Sequence, residues 1–157
     1  MVLEFDTNGF LMPYSPIRAD MTILEEVFVS SFPTSASRRP LFDRYVEAVD
    51  ELSKLLPDGF VQWIDGSFVS QKLNPQDIDV LTFVDDNAFT LLEKELAALR
   101  VIYRAGSTPI DLYRLRVYPE GHRYRNHYES DYIHWLFDWS RTYHRPIRNK
   151  GFIELTF

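Results

Sequence analysis

Phe60-Val61-Gln62-Trp63-Ile64-Asp65-Gly66-Ser67 and, after a nine-residue spacer, Asp77-Ile78-Asp79-Val80-Leu81-Thr82-Phe83-Val84 decide the fold. The first run is apolar and aromatic up to Ile64 and reads as a strand closed by a turn at Asp65-Gly66-Ser67. The second follows the break at Asn74-Pro75 and reads as a second strand. Side chains on a strand alternate between faces, so Asp77 and Asp79 project together while Ile78 and Val80 project the other way. Two carboxylates held on one face of a rigid strand repel each other, and a divalent cation is the usual resolution. Mg²⁺ suits such a pair, because it takes oxygen ligands from one or two carboxylates and completes its shell with substrate phosphates.

Working outward, Pro109-Ile110-Asp111-Leu112-Tyr113 opens a third strand, running to about Tyr118, and carries a third acid within an apolar run. A charge there needs a partner or a function. Arg114 and Arg116 are close in sequence, but alternation turns both away from Asp111. If this strand neighbours the Asp77–Asp79 strand, the three acids form a cluster able to hold two cations for an in-line phosphoryl displacement. Gly66-Ser67 offers backbone N–H groups and a hydroxyl to phosphate oxygens, and Lys72 in the spacer is a second phosphate contact. Asp65 is a fourth acid that either assists a metal or caps the turn, and the cap is the favoured reading.

Helices flank these strands. Thr22-Ile23-Leu24-Glu25 has capping-box spacing and opens a short helix toward Val29. Leu41, Phe42, Tyr45, Val46, Val49, Leu52 and Leu56 recur at helical period over about 40–56. Asp85-Asp86-Asn87 caps a helix over about 88–99, with a short strand expected at Val101-Ile102-Tyr103. A last helix is expected over about 131–143, with Tyr132, Trp135, Leu136, Trp139 and Tyr143 on one side. Phe152-Ile153-Glu154-Leu155 forms a terminal strand, and residues 1–20 read as irregular. The order predicts one α+β domain over 1–157 with a mixed sheet: a helical lead-in (about 1–56), a motif core (about 60–118) and a helical C-terminal extension (about 122–157).

Composition narrows the function. The 157 residues are 45% apolar and 15% aromatic and contain no Cys, which excludes disulfides, thiol chemistry and zinc-thiolate sites. The N-terminus lacks the features of a signal peptide and no stretch approaches a membrane span, so a cytoplasmic protein without membrane contact is expected. The net charge of −6 is unevenly spread. Residues 1–99 hold 7 Lys+Arg against 17 Asp+Glu, and residues 100–150 hold 10 against 5. An acidic chain is a poor candidate for broad DNA binding. Arg141, Arg145, Arg148 and Lys150 in the basic segment either reach a polyphosphate or form a solvated face.

Trp63-Ile64-Asp65-Gly66-Ser67-Phe68, Asp77-Ile78-Asp79-Val80 and Ile110-Asp111-Leu112 together resemble the nucleotidyltransferase superfamily of DNA polymerase beta type. With Val69, Pro75-Gln76 and the closing Lys150-Gly151-Phe152-Ile153, the chain also resembles a bacterial family of nucleotidyltransferase-like proteins related to minimal nucleotidyltransferase antitoxins. The resemblance implies that Gly66 and Ser67 hold the β/γ-phosphates of ATP or another nucleoside triphosphate. It implies that Asp77 and Asp79 ligate Mg²⁺, and that Asp111 ligates a second metal and helps deprotonate the acceptor hydroxyl. The implied reaction moves a nucleoside monophosphate, AMP from ATP being the expected case, to a hydroxyl of a protein or RNA. The small size leaves little room for template-binding domains. A role in a toxin–antitoxin or phage-defence system, with a cognate toxin as partner, is also implied. The small antitoxin relatives often carry Arg directly after Gly-Ser, whereas this chain has Phe68. The alternative is a non-catalytic module that binds nucleotide or a partner on the same fold. A nuclease reading leaves Gly66-Ser67 without a role.

Overall fold

The computed structural model describes residues 2–157 as an α+β fold built on one five-stranded mixed sheet. The strands are β3 (Pro16–Arg18), β4 (Val61–Asp65), β5 (Ile78–Asp85), β6 (Ile110–Val117) and β7 (Phe152–Thr156), ordered β3-β7-β4-β5-β6. A separate hairpin pairs β1 (Glu4–Phe5) with β2 (Leu11–Met12). The helices are α1 (Met21–Glu25), α2 (Arg38–Leu55), α3 (Asp86–Leu91), α4 (Glu93–Arg104) and α5 (Arg125–Trp139). No described helix is long and apolar enough to cross a membrane.

Register follows from burial on two faces. β4 pairs antiparallel with β5, and β5 pairs parallel with β6 across the α3–α4 connection, as parallel strands require a crossover. On one face, Ile64, Val80 and Leu112 lie side by side and pack with Leu41, Phe42, Tyr45, Val49 and Leu52 of α2. On the other, Trp63, Leu81 and Leu115 pack with Trp139 and Phe152 to form a second core under α5, joined by Tyr128, Tyr132 and Trp135. Gln62, buried on the α2 face, accepts from the Tyr45 hydroxyl (2.7 Å) and donates to Thr82 Oγ1 (2.9 Å), so this polar trio is satisfied within the core.

Several local expectations change. Residues 2–20 are not wholly irregular: they include three short strands, and β3 extends the main sheet by pairing with β7. Strands of two or three residues leave no period to read. α1 begins two residues earlier than its capping-box spacing suggests, because the Asp20 carboxylate accepts from Ile23 N (2.8 Å) and so caps it. A π-helical turn then carries the chain to Ser30. Val101-Ile102-Tyr103 is not a strand but the last turn of α4. Val101 and Ile102 face solvent there, while Tyr103 is buried under Arg44, a geometry that two β-branched residues and an aromatic do not disclose. α5 starts at Arg125 and stops at Trp139. Its inward stripe is Tyr128, Tyr132, Trp135, Leu136 and Trp139, and Tyr143 lies outside the helix. The C-terminal segment is helical over α5 alone, and the expected terminal strand, β7, sits inside the sheet between β3 and β4.

Candidate functional site

Strand register brings three carboxylates into one row. Asp65 of β4 pairs with Asp79 of β5, and Asp79 pairs with Asp111 of β6. They share a face with Trp63, Leu81 and Tyr113 in the next row, which α5 covers; the acidic row stands at the end of the sheet beyond that cover. Asp77, two residues before Asp79, precedes β5 and lies on the same side by alternation. The expected neighbouring of the Asp79 and Asp111 strands is therefore present, with direct pairing between the two acids. The aspartates sense one another. Burial pushes Asp79 up to about 7, and Asp77, Asp65 and Asp111 push the same way while Lys150 relieves it. Asp77 is also raised, by burial and then by Asp111, against the opposing charges of Lys72 and Arg104.

Asp65 does more than cap the turn: its carboxylate feels the Gly66 backbone N–H and also meets a cation. It is 3% exposed at the end of β4, and its Oδ2 accepts a hydrogen bond from Lys150 Nζ in a buried ion pair. Burial raises Asp65, and Lys150 lowers it in opposition. Asp65 Oδ1 and Asp111 Oδ1 are buried oxygens with no hydrogen-bond partner. Asp111 has Arg104 Nε at 3.3 Å as a counter-charge, though not in hydrogen-bonding geometry. Arg114 and Arg116 turn away as alternation requires: Arg114 donates to Glu93 O, and Arg116 pairs with Asp86.

Gly66 turns the chain at φ +84°, in the region that favours glycine. A Cβ at this position would stand 2.5 Å from Asp79 Oδ2, so the missing side chain makes room for that carboxylate. Ser67 opens a single 3₁₀ turn, Ser67–Val69, whose geometry is held from behind by Arg38. Arg38 is fully buried, and its guanidinium donates to the carbonyls of Phe28 (2.8 Å), Phe68 (2.6 Å), Ser70 (2.8 Å) and Lys72 (2.5 Å). It stacks 3.9 Å over Phe32. Phe68, at the position where the antitoxins often have Arg, is buried in the core and takes no part in the site.

A cavity of about 630 Å³ opens beside this turn. Gly66, Ser67, Lys72 and Lys150 line it, together with Asn8 and Gly9 of the N-terminal hairpin and Tyr143 and His144 of the loop after α5. Lys72 is exposed and close enough to Asp77 to lower it. Of the other basic candidates, Arg148 reaches the rim by donating to Asn8 Oδ1. Arg141 does not line the cavity; it lies 4.0 Å over the Phe137 ring on the exposed side of α5. The residues not anticipated here are Asp65 as a row member, the hairpin wall and the Arg38 clamp. Each depends on contacts between separate elements, and only Arg38, at the start of an otherwise apolar helix face, is visible locally.

The donor set suits a hard divalent cation. Every candidate ligand is a carboxylate oxygen, two of the oxygens are buried without partners, and burial already disfavours the charge on Asp79. Among the described residues, no three Asp, Glu or His side chains form a ready-made metal-binding group. A cation held here would have to draw part of its shell from outside the protein, as Mg²⁺ commonly does.

No curated protein and no solved structure matches the chain. One family model does, over residues 3–156, and by that match the chain belongs to the family of unknown function DUF6932.

Proposed function

We propose that the protein is a Mg²⁺-dependent nucleotidyltransferase that moves a nucleoside monophosphate, AMP from ATP in the expected case, to a hydroxyl of a protein or RNA. The observation that carries this reading is the row Asp65–Asp79–Asp111, with Asp77 beside it, set next to the Gly66-Ser67 turn and its cavity. A nuclease would use the carboxylates but gives no role to the turn.

Asp77 and Asp79 would hold the cation, with Asp111 available to a second. A bound divalent cation supplies positive charge that offsets charge developing on the transferred phosphorus and on the departing pyrophosphate. The Ser67 hydroxyl and the backbone of the 3₁₀ turn bind phosphate oxygens at a position that Arg38 fixes. Asp111, at the edge of the row beside Asp79, takes the proton from the acceptor hydroxyl. The acceptor oxygen then bonds to the α-phosphorus, the α–β bridging P–O bond breaks, and pyrophosphate leaves with its electron pair.

The test is incubation with α-labelled ATP, Mg²⁺ and candidate acceptors, a cognate toxin among them. Label transfer should appear and fall by at least ~100-fold in Asp77→Ala and Asp79→Ala. Transfer that survives both substitutions overturns the mechanism. A second reading, a module that binds nucleotide without turnover, draws on Arg104, which already gives Asp111 a counter-charge. It predicts Mg²⁺-dependent ATP binding by calorimetry with no label transfer to any acceptor.

A further inference from the structure

Lys150-Gly151-Phe152-Ile153 leads into β7, and the ion pair with Asp65 does not by itself account for how tightly the first two residues are held. Lys150 is 8% exposed, an uncommon state for lysine, and its ammonium sits on Asp65 Oδ2 while its side chain lines the cavity beside Ser67. Its backbone is pinned on both sides. Lys150 N donates to Ser140 O (2.9 Å), and Gly151 N donates to Leu11 O (2.8 Å). A Cβ on Gly151 would collide with the carbonyl oxygens of Pro13 and Leu11, so only glycine lets the N-terminal hairpin close on this segment.

The pair is built asymmetrically. Asp65 gives one oxygen to Lys150, while the other is buried beside the Gly66 backbone without a full hydrogen bond. A purely structural ion pair repays its desolvation by satisfying all of its polar atoms; this one does not. The ammonium has three donors, Asp65 takes one, and the cavity lies on the remaining side. Phe68 is buried in the core, so the 3₁₀ turn itself carries no cation; the exposed Lys72 beyond it also lines the cavity and acts on Asp77, which leaves Lys150 as the buried, positioned cation of the cavity.

We propose that Lys150, held in place by Asp65, is the cation that receives the polyphosphate tail of the nucleoside triphosphate, making the site selective for triphosphates over monophosphates. The proposal rests on the nucleotidyltransferase reading above and adds the residue that recognises the leaving group. Asp65 is a positioning residue: it orients the ammonium within a largely closed surface.

The experiment is calorimetric titration of the full chain with tripolyphosphate, with α,β-methylene-ATP and with AMP, each in Mg²⁺. Lys150→Met alone strands a buried carboxylate, so the informative variant is the double Asp65→Asn/Lys150→Met, which removes both charges together. Loss of a charge-assisted phosphate contact predicts about 10- to 100-fold weaker binding of tripolyphosphate and of the ATP analogue, with AMP unchanged within about twofold. Lys150→Arg should recover most of the loss. A folded double variant that keeps wild-type affinity for tripolyphosphate, or that weakens for AMP as much as for the analogue, overturns the assignment. Should the double variant not fold, the Lys150 ammonium resonance of the wild-type protein decides: it shifts on addition of tripolyphosphate if the contact forms, and an unmoved signal refutes it. Wild-type protein that binds neither tripolyphosphate nor the analogue overturns the nucleotidyltransferase reading itself; normal wild-type binding with an indifferent double variant overturns only the role of Lys150.

Discussion

Asp79 is held under strain that its neighbours impose. Burial and three nearby carboxylates push it up to about 7, so at neutral pH the molecule resists the charge that a metal ligand must carry. Asp79→Asn removes that resistance. The metal-free variant is expected to be more stable than the wild type at pH 8 by on the order of 1–3 kcal/mol, read from urea midpoints, while losing Mg²⁺-dependent nucleotide binding. An unchanged or lowered midpoint would show that Asp79 is not electrostatically frustrated. Gly66 supports the same carboxylate by having no side chain. Gly66→Ala places a Cβ against Asp79 Oδ2 at a positive φ, and should cost about 1–3 kcal/mol and displace the acid. Wild-type stability together with wild-type Mg²⁺ response in that variant would remove the argument for a cradle. Alternation alone placed Asp77 with Asp79 and turned Arg114 and Arg116 away from Asp111, because period two is a local property of a strand. Lys150 could not be assigned to Asp65 in the same way, since 85 residues separate them and only the sheet brings them together.

Among the elements, the 67–72 segment depends most on a remote support. It has one 3₁₀ turn of its own, and four carbonyls from Phe28, Phe68, Ser70 and Lys72 converge on the buried Arg38 of α2. Arg38→Met preserves much of the volume and deletes every one of those donors. It should destabilise the protein by about 3–5 kcal/mol and raise amide exchange selectively across 67–72. A uniform rise in exchange, with no bias to that segment, would show that Arg38 supports the core in general and not the turn. Element types were legible wherever a period had room to show itself. α2 and the strands around Trp63, Val80 and Leu112 follow their apolar spacing to within a residue or two. The reading failed where length or context overrode propensity. Val101 and Ile102 have strand-forming side chains, yet they extend α4 because Tyr103 gains a buried site one residue later. The β1–β2 hairpin has two residues a side and still builds a wall of the cavity.

At the scale of the molecule, the acidic half and the basic half named by charge counting do not form two surfaces. Lys150 enters the acidic row, Arg104 meets Asp111 at its edge, and Lys72 opposes Asp77, so the basic residues are distributed around one concentrated set of carboxylates. This arrangement makes folding stability depend on pH with a sign opposite to that of an ordinary salt-bridged acid. Asp79 has its folded pKa near 7 and an unfolded value near 3.8. Between those values the native state binds more protons than the unfolded chain, so stability falls as pH rises, and the contribution is fully lost above about 7. The metal-free protein should therefore lose on the order of a few kcal/mol between pH 4.5 and 7.5 from this group. A divalent cation binds the deprotonated native site and reverses the trend: Mg²⁺ at about 100 times its dissociation constant restores about 2.7 kcal/mol. Thermal unfolding followed by tryptophan fluorescence, across that pH range with EDTA or with Mg²⁺, measures both effects. The two curves should coincide at low pH, where Asp79 is protonated and the cation cannot compete, and separate as pH rises toward 7.5. A metal-free protein whose melting temperature is flat over this range would mean that the carboxylates are better solvated than their burial implies. Curves that stay superimposed at pH 7.5 would mean that the row does not bind a hard cation, and the proposed chemistry would lose its electrophile.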